Sequence, residues 1–138
     1  MKKIFLNLLF LKAFLCFSQN QFDSKIIVSV ADSTDLYEKT KMALLYQDLI
    51  VKECPSKDTL TAFARNFLPI GYIVSKAVVS GNKVVFFGIY GLKRTDEWDY
   101  PKMPKNYDNI IYYKGSKAWY VLLQRAKRIS GGELSYSK

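Results

Sequence analysis

Apolar and polar positions divide the chain into segments with different periods. Lys25-Ile26-Ile27-Val28-Ser29-Val30 is short and rich in β-branched residues, the composition of a strand. Asp32-Ser33-Thr34-Asp35 interrupts it, and Asp35 followed by Glu38 has the spacing of a capping box. From Leu36 to about Cys54 the apolar residues, among them Met42, Ala43, Leu45, Tyr46, Leu49 and Ile50, make a broad helical stripe that Pro55 stops. A second helix, capped by Ser56 or Asp58, is predicted up to Pro69. Its Leu60, Phe63, Ala64, Phe67 and Leu68 fall at i, i+3, i+4, i+7 and i+8.

The second half reads as hairpins. Tyr72 to Val79 and Lys83 to Leu92 flank a Gly81-Asn82 turn of type II′, in which glycine supplies a positive φ. A two-residue loop sets the register. Ser80 faces Lys83, Val79 faces Val84, Ala77 faces Phe86 and Ile73 faces Tyr90, while Val78–Val85, Lys76–Phe87 and Val74–Ile89 pair on the other side. Both sides are largely apolar, so helices are expected over one and partial cover over the other. Ile110 to Lys114 and Lys117 to Leu123 flank Gly115-Ser116, which predicts a second hairpin with Tyr112 opposite Trp119. Ser130-Gly131-Gly132-Glu133 marks a break before a flexible tail, from about 130, or one short extra strand. The expected class is α+β. It is a single domain with an antiparallel sheet of about four to five strands, two type II′-like hairpins and two helices, in the order β-α-α-β-β-β-β. The sequence strand, helix, hairpin, long connection, hairpin is similar in layout to the cystatins. Ala77-Val78-Val79-Ser80-Gly81 stands where they carry Gln-Val-Val-Ala-Gly, without the Gln.

Residues 1–18 read differently from the rest. Lys2 and Lys3 precede an apolar run from Ile4 to Phe17, interrupted by Asn7 and Lys12, and polar Ser18-Gln19-Asn20-Gln21 follows. That is the layout of a secretory signal cleaved between Ser18 and Gln19, too short to span a membrane as a helix. Leu15 occupies a position where lipidation at Cys16 needs a small residue, which argues against a lipid anchor. The domain is then 19–138, exported to the periplasm or outside the cell, with no transmembrane segment. It keeps one thiol, Cys54, read as a small buried residue at a helix end.

Composition narrows the chemistry. The 138 residues include no His, which removes Ser-His-Asp and Cys-His catalysis and His-ligated zinc. Asp96, Glu97, Asp99 and Asp108 lack EF-hand spacing, so no metal is expected there. No cofactor motif and no catalytic constellation stand out. The formal charge is +9, and cleavage after Ser18 takes three lysines and no acid, leaving +6. Arg125, Lys127, Arg128, Lys114, Lys117 and Lys138 are candidates for a basic patch facing an anionic envelope polymer or protein.

The connection from Lys93 to Asn109 is long for a compact domain and carries Trp98, Tyr100, Met103 and Tyr107 between prolines 101 and 104. With Tyr112 and Trp119, the residues Trp98, Tyr100 and Tyr107 form the candidate binding site. The expected role is non-catalytic binding in the cell envelope, the partner being a protein, a peptide or an envelope polymer. The alternatives are an inhibitor-like module that plugs an enzyme cleft, a small His-free hydrolase built on paired carboxylates, and, if the N-terminus stays uncleaved, a cytosolic nucleic-acid binder using Tyr112 and Trp119 as a stacking platform. An exported chain excludes nucleic acid as partner.

Overall fold

The computed structural model describes residues 19–45, 50–53, 58–65, 71–91, 107–113 and 116–138. The expected signal (1–18), Cys54, Trp98 and Tyr100 lie outside the described residues. The elements are β1 (Lys25–Val30), α1 (Leu36–Leu45), β2 (Ile50–Glu53), β3 (Thr59–Arg65), β4 (Tyr72–Ser80), β5 (Lys83–Gly91), β6 (Asp108–Asn109), α2 (Lys117–Ala126) and β7 (Gly132–Ser137). All strand pairs are antiparallel, in the order β2-β3-β4-β5-β1-β7, with the two-residue β6 added beside β5. The chain is α+β with an antiparallel sheet and two helices, the class expected from the sequence, although the second helix is not at the predicted place.

The β4–β5 hairpin is the centre of the sheet. Gly81 sits at φ +57°, while Asn82 is not in the left-handed region, which is the type II′ pattern. The register follows from it: Ser80 pairs with Lys83, Ala77 with Phe86 and Ile73 with Tyr90. Asn82 also closes the end of β1. Its side chain donates to the Val30 carbonyl at 3.2 Å, and its own carbonyl accepts from the Val30 N–H at 2.9 Å. The free edge of β5 is divided between two partners. β1 covers Lys83 to Phe86, then Ile110 N–H donates to the Gly88 carbonyl at 2.9 Å, and β6 pairs with Ile89 and Tyr90.

One face of the sheet carries the helices. Ile26, Val28, Leu60, Ile73, Ala77, Val84 and Phe86 are buried there against Leu36, Ala43 and Leu44 of α1 and Ala118, Trp119, Val121 and Leu122 of α2. On the opposite face Val74 and Tyr72 are buried with Ile89 packed beside them, so that face is partly covered as well. The Tyr72 ring lies across the Cα of its cross-strand partner Gly91, where a Cβ would have no room.

Four expectations are corrected. The first helix ends at Leu45, and residues 50–53 are strand, pairing with β3. Residues 59–65 are strand and not helix. Leu60 and Ala62 are buried with half-buried Thr59 and Thr61 alternating between them, and the backbone of β3 satisfies the N–H and C=O groups along β4. The second hairpin is absent: residues 117–126 form α2, and Ser116 is its N-cap, its hydroxyl accepting from the Trp119 N–H at 3.2 Å. The order strand, helix, hairpin, long connection, hairpin that resembles the cystatins is therefore not the order of this chain. Of the two readings of the C-terminal residues, the flexible tail fails and the short extra strand holds: residues 132–137 form β7, because Leu134 and Tyr136 alternate onto the core beside Val28 and Ile26. The expected capping box is also modified. Asp35 stands at φ +56°, outside the extended geometry of an N-cap, although its carbonyl accepts from the Lys39 N–H at 2.9 Å.

Among the described residues Arg125 is the largest fully buried side chain, 2% exposed, and its Nη1 donates to Ser75 Oγ in the middle of β4. Its burial removes it from the expected basic surface patch. The row at this level of the sheet is small on each strand, with Ala62, Ser75 and Gly88 side by side. A Cβ on Gly88 would lie 2.5 Å from the Val74 carbonyl oxygen and 3.2 Å from Ile110 Cδ1.

Gly88→Ala is therefore expected to lower stability by about 1–3 kcal/mol through overpacking, read as a lower urea midpoint. Ser75→Ala, which makes the chain no larger, is expected to cost about 1–3 kcal/mol by taking an acceptor from a buried guanidinium. A Ser75→Ala midpoint equal to that of the parent chain would show that the bond contributes nothing.

Candidate functional site

The site begins where the chain leaves β6. Ile110 is buried and anchored on Gly88, so the following residues are held against the sheet edge. Two residues later the Tyr112 backbone bonds on both sides to the segment ahead of β1. Its N–H donates to the Asp23 carbonyl at 2.7 Å, and its carbonyl accepts from the Phe22 N–H at 3.0 Å. Residues 20–23 form a tight turn in which the Asp23 N–H donates to the Asn20 carbonyl at 3.1 Å. The buried Asp23 carboxylate accepts from the Asn20 N–H at 2.8 Å. Phe22, at the third position of that turn, stands at φ +74° with an exposed side chain. Glycine is usual there, so the turn holds a bulky residue in a strained backbone conformation.

The first turns of α2 face this segment. Between them is a cleft of about 390 Å³ lined by Gln19, Tyr112, Tyr113, Ser116, Lys117, Trp119, Tyr120 and Leu123. Trp119 is its floor. The indole is 3% exposed and lies between two tyrosines, with Tyr112 edge-on at 5.7 Å and Tyr136 tilted at 6.0 Å. Its Nε1 is buried and has no hydrogen-bond partner among the described residues. Tyr120 and Tyr113 are the walls, 59% and 45% exposed. The ammonium of Lys117 is the cation among the lining residues. The cleft thus combines a rigid aromatic floor with accessible rings whose hydroxyls are polar handles.

The rigidity extends to the sheet. Burial pushes the Tyr90 hydroxyl above its ordinary value of 10.0, and the neighbouring Tyr113, the Asp108 carboxylate and a hydrogen bond with Tyr113 push it further. Tyr72, at the same end of the β4–β5 hairpin, is raised by burial and then by Asp108. Tyr113 therefore joins the cleft to the distal end of β5.

Of the expected site residues, the structure brings Tyr112 and Trp119 together, through a loop and a helix and not across a hairpin. Trp119 is too buried to stack a nucleic-acid base. Tyr107 is exposed ahead of β6 but does not line the cleft, and Trp98 and Tyr100 lie outside the described residues. The sequence reading missed Gln19, Tyr113 and Tyr120 as site residues and had Lys117 only as a basic-patch candidate. The signal was present: Ala118, Val121, Leu122, Arg125 and Ala126 fall at i, i+3, i+4, i+7 and i+8, which places Lys117, Tyr120 and Gln124 on the outer face of a helix.

A second, larger cavity of about 650 Å³ lies beside α1, where Asp35, Glu38, Lys39, Met42, Leu45 and Arg128 mix both charges with exposed apolar atoms. Asp108 is exposed, Asp96, Glu97 and Asp99 lie outside the described residues, and no group of three or more Cys, Asp or Glu side chains among the described residues is placed to share a metal ion. No described helix is long and apolar enough to cross a membrane. Comparison with protein-family models, with curated proteins and with solved structures gives no match.

The raised tyrosines imply an alkaline limit to stability. Folding favours the protonated phenols, so their contribution is whole below pH 10.0, the ordinary value, and is lost as pH climbs through the higher values of the folded state. Urea midpoints taken through this range are expected to fall, and Tyr90→Phe is expected to shallow the fall. An equally steep fall in that variant would place the titration elsewhere.

Proposed function

We propose that the chain is exported and acts as a non-catalytic binding protein of the cell envelope, with the aromatic cleft at the N-terminus of α2 as its binding site and an envelope polysaccharide as its ligand. The observation that carries this reading is the cleft itself, a site of about 390 Å³ in which Tyr113 and Tyr120 are exposed beside half-buried Tyr112 and buried Trp119. Sugar rings present apolar C–H faces between hydroxyls, and a site of flat rings with phenolic edges matches both kinds of surface. A rigid floor lowers the ordering cost of such binding. Lys117 adds one cation at the rim, complementary to carboxylated or phosphorylated sugars. Export is supported by the layout of residues 1–18, and the positive charge left after cleavage suits an anionic envelope.

The test uses titration of soluble envelope polysaccharide fragments into the mature protein, followed by tryptophan fluorescence and calorimetry. Tyr113→Ala and Tyr120→Ala remove exposed rings and are expected to leave the fold intact by circular dichroism. Each is expected to weaken binding by about tenfold, or ~1.4 kcal/mol. Trp119→Ala is not a suitable test, because the indole belongs to the core. Unchanged affinity in the Tyr113→Ala, Tyr120→Ala double variant would remove the cleft as the binding site.

A further inference from the structure

We propose that the mature chain begins with a cyclised Gln19, a pyroglutamyl residue that forms one wall of the aromatic cleft. This rests on the export reading above, because cleavage after Ser18 is what makes Gln19 the first residue. The geometry then supplies two facts. Gln19 is half-buried and lines the cleft with Tyr112, Lys117, Trp119 and Tyr120. Its neighbour Asn20 is clamped at both backbone groups by Asp23, through the Asn20 N–H on the carboxylate at 2.8 Å and the Asn20 carbonyl on the Asp23 N–H at 3.1 Å. The new chain end is therefore held at the cleft and does not swing in solvent.

A free α-amine at that place would be an ammonium against aromatic walls, in a cleft that already holds the Lys117 side chain. The neutral form of that amine is the nucleophile of cyclisation. Its lone pair attacks Cδ of the residue's own carboxamide, a five-membered lactam forms, and the bond from Cδ to the side-chain nitrogen breaks. That nitrogen leaves as ammonia with the proton given up by the amine, and no oxidant, reductant or co-reactant is needed. The product is a flat, uncharged ring beside Tyr112 and Tyr120, which removes one positive charge from the cleft and leaves Lys117 as its cation. The cleft so finished suits a ligand of mostly neutral sugars with an occasional acidic group.

The experiment is the intact mass and N-terminal sequence of the full chain after export from producing cells. The expected result is the mass of residues 19–138 less one ammonia, with sequencing blocked. A chain of residues 19–138 at full mass with a free Gln19 overturns the proposal and leaves export standing. A chain starting after Gln19 does the same, and one that retains residues before it overturns both. The exported Gln19→Ala variant is expected to show its full calculated mass and an open N-terminus. A loss of ammonia that persists in this variant belongs to another residue and overturns the assignment.

Discussion

A guanidinium enclosed between a sheet and a helix is the constraint on which the middle of this structure depends. Taking an arginine out of water costs several kcal/mol even after relaxation, unless its donors find acceptors. Arg125 meets Ser75 in the centre of β4, and the row of Ala62, Ser75 and Gly88 keeps the sheet shallow at that level. The same shallow row lets Ile110 reach the Gly88 carbonyl, and Ile110 fixes the path of residues 110–113. From that path comes the Tyr112 backbone bonding to residues 22 and 23, and with it the wall of the cleft. Core and site are therefore linked through one level of the sheet.

The legible part of the fold was the part governed by local rules. Gly81-Asn82 permits one tight turn, and a two-residue loop permits one register, so the β4–β5 pairing could be read residue by residue. β1 was legible from its β-branched run. The misread elements are those in which two periods coexist. In Thr59–Arg65, Leu60 and Ala62 satisfy a period of two, while Leu60, Phe63 and Ala64 satisfy a helical one. The strand reading wins because the edge of β4 needs hydrogen-bond partners, a demand invisible in the local pattern. In 116–126, Gly115-Ser116 imitated a hairpin turn, but Ser116 is a helix cap, and the aromatic run that looked like a strand is one turn of an amphipathic helix.

That second misreading explains why the site was only half found. Tyr112 and Trp119 were paired for a cross-strand reason and do meet, edge to face, for a different one. A hairpin would have placed them on an open sheet surface. The helix instead sinks Trp119 beneath Tyr112 and Tyr136 and turns Lys117 and Tyr120 outward. The indole supplies rigidity, and the neighbouring tyrosines supply the accessible surface. Gln19 was not legible as a cleft residue, because its placement depends on the strained turn at Phe22.

The position of β1 carries a consequence for how the chain reaches its native state. β1 is enclosed by β5 on one side and by β7, the last strand, on the other, and the Lys25 side chain reaches the Lys138 carbonyl across a separation of 113 residues. Contacts that distant in sequence close late and slowly. While the chain is still emerging from the ribosome, β1 has one side open, and the core layer formed by Leu134 and Tyr136 is missing. The polypeptide thus stays incompletely folded until β7 is made, and loss of that one strand would leave β1 with an open edge and the core beside Val28 and Ile26 uncovered.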